Sequence, residues 1–413
     1  MRVETSPRPD AALLAGGTGA LAAVLHFAGA LKSVPLVAAL PVDLTAAAAA
    51  LLLPCLALLA LDRRWRLDPA LALPLLSAAG LLLWLVLAGC WSTSRAVLTE
   101  KLPQAVLLGP PMLAAGLLVG ADAPARRRFC AAVVAIGLLV GATVAWGVAT
   151  DQVVLGGEVG ADPARIRVQY QLAGLAIACA AGLAAVRLVE ARGAARLAWG
   201  LAVLALAVAV LLPGGRAALL GLGLAVAGAP ALLLWLQGRR LAALLWGAGV
   251  AGLGLGGLFG LRAAAPVWAD ELRTLERLFG DPATETPARL VLWGEALRWG
   301  GLAAPFGLGT GGFNIAAGVG DDRSLHPHNH ALEMLAEAGL PGLLLWLLAF
   351  GGGAALALAR AGRVAPGRTA RIAALTLPVA LTAMVSTDLG NRMAWFALGL
   401  LLSLSVEAER RHV

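Results

Sequence analysis

Three of the five histidines in this 413-residue chain stand at alternate positions in His326-Pro327-His328-Asn329-His330. Neutral imidazole is the side chain best suited to accept a proton near pH 7, so this segment is the first place to look for a general base. In an extended backbone alternate residues share a face, which would also let the three rings meet as metal ligands. No clear carboxylate partner accompanies them, and the onset of a helix after Asn329 splits that face, so proton transfer is preferred to metal binding. Asp321-Asp322 reads as a solvated turn rather than a ligand pair. The complementary chemistry is cationic: Arg216 opens the apolar run GGRAALLGL, Arg289 lies in ARLVLWGEAL, and Arg165 and Arg167 lie in the polar stretch 151–170. Arg presents a planar, always-charged donor fork to an anion. Taken singly, an Arg at a span end is a lipid-anchoring side chain and an Arg on an amphipathic helix is an exposed charge.

What positions these residues is a membrane. Of all residues 60% are hydrophobic and 14% charged, a composition whose solvent is lipid. Apolar runs such as LAALLWGAGVAGLGLGGLFGL lack the alternation of barrel strands and must satisfy their backbone as helices. Twelve spans are expected, near 11–31, 34–61, 67–89, 104–120, 129–149, 171–188, 196–212, 217–236, 241–261, 331–359, 372–386 and 392–406. The second and tenth are overlong, with Pro41 and Gly351–Gly353 as the places to break, and the fourth is short and carries Pro110-Pro111. The first run is full span length and is read as an uncleaved anchor.

Basic residues set the orientation. With both termini in the cytoplasm, 19 of the 32 Lys and Arg side chains face inward, and seven lie in short outward segments. Topology and anionic lipid account for the net charge of +8, and no nucleic-acid partner is needed. Cys55, Cys90, Cys130 and Cys179 have no paired spacing and read as packing residues. The long polar segment 262–330 is placed outside and carries its own helices. Trp268, Leu272, Leu275 and Phe279 share one face of a surface helix, and Thr286 with Pro287 starts a second. A glycine-rich turn region, GLAAPFGLGTGGFN, follows, and Asn329 is the N-cap of the tenth span. Gly339, Pro341 and Gly342 inside that span suggest close packing or a kink.

These pieces together resemble the O-antigen ligases, within the wider group of O-antigen polymerases and bacterial O-oligosaccharyltransferases. The carrying motif is His328-Asn329, nine residues, then Gly339. A glycine-preceded Arg216 opening a span also matches, as does Arg289 with Trp293 four residues on, ahead of the PFGLG turn from Pro305. The stretch 151–170 departs from the family's R-x-x-G-x-F-x-x-P-N arrangement, having RIRVQYQLAG instead.

The resemblance implies an all-α, GT-C-type integral membrane glycosyltransferase in the bacterial inner membrane. Residues 1–261 would be transmembrane helices 1–9, residues 262–330 a large periplasmic loop with the catalytic motif, and residues 331–413 helices 10–12 with a cytoplasmic tail. It implies transfer of a glycan from undecaprenyl diphosphate to a sugar hydroxyl of lipid A–core on the periplasmic face, with no cofactor, metal ion or nucleotide. His328 is then the general base, with His326, Asn329 and His330 in support. Arg216, Arg289 and Arg167 are the diphosphate ligands. The alternatives are an O-antigen polymerase, whose acceptor is a lipid-linked repeat unit, and a polyprenyl-linked glycan transporter, which would place ionisable groups at mid-span.

Overall fold

A computed structural model describes residues 9–155, 165–279, 282–321 and 325–410. Among these, nine helices are long and apolar enough to cross a membrane: Leu44–Asp62, Pro69–Gly89, Arg95–Ala121, Ala123–Ala149, Tyr170–Glu190, Arg216–Leu236, Arg240–Ala264, His330–Arg360 and Pro366–Val385. Three shorter apolar helices, Ala12–His26, Gly193–Ala209 and Arg392–Ser403, occupy the positions of the first, seventh and twelfth expected spans. Each of these twelve helices thus coincides with one apolar run of the sequence. The chain is a mostly helical, multi-pass membrane protein.

Helix Tyr170–Glu190 forms the centre, with 78% of its most apolar window buried, against 6% for the peripheral Arg240–Ala264. Small residues make the centre possible. A Cβ added at Gly174 or Gly182 would meet Ala218 or Ala225 of helix Arg216–Leu236 at 2.4 and 2.7 Å, closer than packed carbons approach. Leucines at the perimeter, such as Leu36, Leu253 and Leu358, stay exposed and face the lipid.

Four expectations about elements need correction. The surface helix expected over 268–279 is two helices, Pro266–Glu271 and Arg273–Phe279, because Leu272 adopts an extended conformation between them. The following helix starts at Pro282 rather than at the Thr286 cap, since a proline fits the first turn of a helix. The fourth span is not short: it runs from Arg95 through a π-turn at Gln104–Leu108 to Ala121, so Pro103, Pro110 and Pro111 are absorbed without a break. The tenth span continues through Gly351–Gly353, with a π-turn at Leu347–Gly351. The kink expected around Gly339, Pro341 and Gly342 falls at Gly339, where φ is 65° and ψ −161°. The overlong second run does divide around Pro41, into Pro35–Ala38 and Leu44–Asp62.

Polar contacts collect at the two ends of the bundle. At one end, Arg63–Leu67 pairs antiparallel with Val406–Arg410, buried Arg63 Nε donates to Asp122 at 2.8 Å, and Arg371 bridges to Glu190 at 2.5 Å. This is the end where the short basic segments cluster. At the opposite end, Lys32 meets Asp43 at 2.5 Å and Val153–Leu155 pairs with Ile166–Val168. The segment 325–330 lies at this second end, together with the start of helix Arg216–Leu236.

Candidate active site

The segment His326–His330 is pinned to the residues that follow helix Pro366–Val385. His328 Nδ1 lies 3.2 Å from the Ser386 carbonyl oxygen, Asn329 Nδ2 donates to the Met384 carbonyl at 3.0 Å, and His330 Nε2 lies 3.2 Å from Thr387 Oγ1. Asn329 also caps helix His330–Trp346, accepting from the Leu332 N–H at 3.1 Å. Between these anchors the His328 backbone is left-handed, with φ 57°. That conformation costs of order 1 kcal/mol and persists only where its surroundings impose it.

The Ser386 contact fixes the chemistry of the His328 ring. A carbonyl oxygen only accepts, so Nδ1 carries the hydrogen and Nε2 of the neutral ring carries the lone pair. Burial pushes the His328 pKa below its ordinary value and the nearby Arg289 charge pushes the same way, against the Ser386 hydrogen bond and the Asp388 charge. The ring is therefore neutral at pH 7 and able to take a proton. His326 packs edge-on against it, with ring centroids 4.2 Å apart, and burial holds the His326 pKa down to about 4. The rings of His326 and His328 meet although the left-handed His328 backbone is not the extended one expected, and His330 has already entered the helix.

Arg289 reaches this region through Trp293. One helical turn beyond Arg289, the Trp293 indole donates to the Pro327 carbonyl at 2.9 Å. The helix Pro282–Leu302 is thereby held against the histidine segment, and Ala296, Phe313 and Ala336 form a small buried core beneath it. The pairing of an Arg with a Trp four residues on has this physical basis.

Arg216 starts its helix behind the turn Pro213-Gly214-Gly215. Helix Arg273–Phe279 grips that turn: Thr274 Oγ1 accepts from the Gly214 N–H at 3.0 Å, and Arg277 donates to the Gly214 carbonyl at 2.9 Å. Gly214 has φ 88°, and a Cβ there would meet Arg273 at 2.9 Å. The result is a cleft lined by Arg216, Arg277, Arg289, Tyr170, Thr382 and Ser386. Ser386 belongs to both features, since its carbonyl holds His328. The open space is small, about 20 Å3, so an anion larger than a water enters only as the side chains part.

Arg277 and Tyr170 escape a reading of the sequence. The Arg277 guanidinium lies 5.3 Å from the centroid of the Tyr170 ring, and it is the fold of 273–279 over the 213–216 turn that brings both to the cleft. Arg167, on strand Ile166–Val168, is exposed and is not among the residues lining the cleft. Arg165 pairs with Asp151 at the surface. Arg323 and Asp322 lie outside the described residues, while Asp321 accepts from the Ala96 N–H at 3.4 Å and from the Ser94 hydroxyl.

Beneath the histidines is a buried charged group. Lys101 is 5% exposed and its ammonium contacts both Glu333, 0% exposed, and Glu337, 1% exposed, the latter at 2.5 Å. Glu333 also accepts from the Leu389 N–H at 3.1 Å, and Glu337 from the Gly311 N–H at 2.8 Å. One cation thus fastens three segments: the glycine turn, the histidine-bearing helix and the 386–391 loop. A signal was present in Glu333 and Glu337, spaced to share a helix face within an otherwise apolar run.

Gly339 completes the frame. A Cβ at this position would lie 2.1 Å from the Pro305 carbonyl oxygen. The break frees carbonyls of the preceding turn, and the glycine turn takes them up: Leu308 N–H donates to Ala336 and Gly309 N–H to Glu337, each at 2.9 Å. Trp84 donates to the Ala338 carbonyl at 2.8 Å. The run 307–312 is therefore a docking turn for the helix.

Two further cavities adjoin the site. One, of about 240 Å3, is almost wholly apolar, lies among Trp346, Phe350, Met384 and Leu398, and has His330 at its edge. The other, of about 360 Å3, is half polar and is lined in part by Asp388, Gly390, Asn391, Arg392 and Met393. Among the described residues, no group of three His, Cys, Asp or Glu side chains is arranged to hold a metal ion.

A neutral imidazole and three arginines thus lie at one end of a helical membrane protein. Residues 200–347 match the family model described as O-antigen ligase. The members of that family are glycosyltransferase-like enzymes of lipopolysaccharide assembly. The match spans Arg216, Arg289, the histidine segment and Gly339, and leaves Lys101 and the 386–391 loop outside it. A comparison with curated proteins finds no match.

Proposed function

We propose that this protein is an O-antigen ligase, joining a glycan from undecaprenyl diphosphate to a sugar hydroxyl of lipid A–core. The observation that carries the reading is the double role of Ser386. Its carbonyl sets the His328 tautomer, and its residue lines the cleft that holds Arg216, Arg277 and Arg289. A base and a set of fixed cations are what the reaction requires on neighbouring sides of one anomeric carbon. The acceptor oxygen bonds to that carbon as its proton passes to His328 Nε2. The carbon–oxygen bond to the diphosphate breaks, and the electron pair leaves with the diphosphate, whose charge the arginines compensate. Arg167 acts at most as an outer cation on the approach to the cleft, with Arg277 taking an inner place. The apolar cavity beside His330 suits the isoprenoid chain of the donor. His326 and Asn329 hold the His328 segment in place.

In this reading the twelve apolar helices all span the bacterial inner membrane, in a GT-C-type arrangement with both termini in the cytoplasm. The histidine segment then faces the periplasm, where assembled lipid-linked glycans are presented. Catalysis needs no metal ion, and activity persists in EDTA. Deleting the gene tests the acceptor. Loss of a ligase leaves bare lipid A–core and unligated polymer on a lipopolysaccharide gel. Core capped with a single repeat unit would instead assign the chain as the polymerase.

A further inference from the structure

We propose that the 360 Å3 cavity beside the 386–391 loop is the subsite for the acceptor sugar ring, a neutral hydroxylated ring presented by lipid A–core. This assignment rests on the transferase function proposed above. The loop Ser386–Asn391 divides two spaces. On one side Ser386 lines the arginine cleft, and on the other Asp388, Gly390 and Asn391 line the larger cavity. His328 and His330 are fastened to Ser386 and Thr387, between the two.

The two spaces differ in charge. The cleft collects three guanidinium groups, whereas the cavity pairs one carboxylate, Asp388, with one guanidinium, Arg392. A diphosphate is favoured in the first and gains little in the second. Hydroxyl groups, which both donate and accept, fit the second: the Asp388 carboxylate accepts, Arg392 donates, and the Gln104 amide does both. Asn391 Oδ1 is engaged in capping Met393 N at 2.9 Å, which leaves its amide nitrogen as a donor. At the back of the cavity stands His26, 2% exposed, whose Nδ1 has no hydrogen-bond partner among the described residues. A buried polar atom without a partner costs about 1–3 kcal/mol, and a ligand hydroxyl would satisfy it. Leu108, Leu172 and Met393 supply the apolar wall against which C–H faces of a sugar pack.

The position also suits the reaction. His328 and His330 are held by Ser386 and Thr387, and the next residue, Asp388, lines the cavity, which places the cavity beside the base. An acceptor held there presents its hydroxyl to His328, while the donor diphosphate stays across the loop.

Purified full-length protein in nanodiscs, supplied with lipid-linked glycan and lipid A–core, tests the assignment. Gln104→Leu removes both polar ends of one amide at nearly constant volume, and Asp388→Asn removes the charge. Each is expected to raise the acceptor KM about tenfold while the donor KM stays within about twofold. If Asp388→Asn does not fold, as judged by thermal unfolding, Gln104→Leu decides alone. An unchanged acceptor KM in folded variants overturns the subsite, and so does a rise confined to the donor KM. A wild-type protein that joins glycan to no acceptor overturns the function itself, and the subsite with it.

Discussion

His328 Nδ1 against the Ser386 carbonyl is the contact on which the residue-scale chemistry turns, because it leaves Nε2 as the acceptor of a proton. Burial and Arg289 lower the His328 pKa, so the neutral ring dominates at and above its ordinary value near pH 6.5. Transfer is therefore expected to be flat through neutrality and to fall only on acidification, as His328 protonates below its lowered pKa. A kcat/KM profile whose acidic limb lies above pH 6.5 contradicts this assignment. The arginines make a different prediction. Arg216→Lys and Arg289→Lys keep the charge and lose the planar fork, so the donor KM is expected to rise about tenfold or more, with little change in acceptor KM. Titrating each substrate against the purified variants separates the two.

Among the elements, the decisive joint is the break at Gly339 against the turn 305–309. A side chain there combines a backbone conformation open only to glycine with a 2.1 Å approach to the Pro305 oxygen. Gly339→Ala is expected to cost about 2 kcal/mol or more and to lower the thermal unfolding temperature. Gly352→Ala in the same run, where a Cβ meets nothing within 4 Å, is the control and should be neutral or slightly stabilising. The apolar runs were legible in the sequence because lipid imposes length and composition on a span, so each expected run coincides with an apolar helix even where its ends differ. Ends failed where local signals compete. Thr286-Pro287 is a good helix start, yet Pro282 is another four residues earlier. Gly351–Gly353 is a good break, yet a Cβ there would meet only the Leu398 and Leu402 side chains, at Gly353, whereas the Pro305 backbone presses on Gly339. The histidines, Arg216 and Arg289 could be picked out because their types and motif spacing are local. Arg277, Tyr170, Lys101 and the 386–391 loop could not, since their places depend on which spans pack together.

Across the whole molecule, charge is kept to the two ends, and the buried contact that departs from this rule holds the site together. Lys101 joins the fourth span to the tenth through Glu333 and Glu337, and those carboxylates reach on to the 311 and 389 backbones. Lys101→Met would leave two buried carboxylates without their cation. It is expected to cost about 3–5 kcal/mol in stability and to release the histidine segment from its position. Thermal unfolding of the purified variant measures the first, and loss of transfer at saturating substrates the second. Retained stability would mean that the carboxylates find another partner. The central claim, that His328 is the base of a glycan transfer to lipid A–core, is tested most directly with purified His328→Ala protein in nanodiscs, mixed with lipid-linked glycan and lipid A–core. The account predicts that product formation falls by about 100-fold or more while the protein stays folded. Product formed at close to the wild-type rate would contradict it.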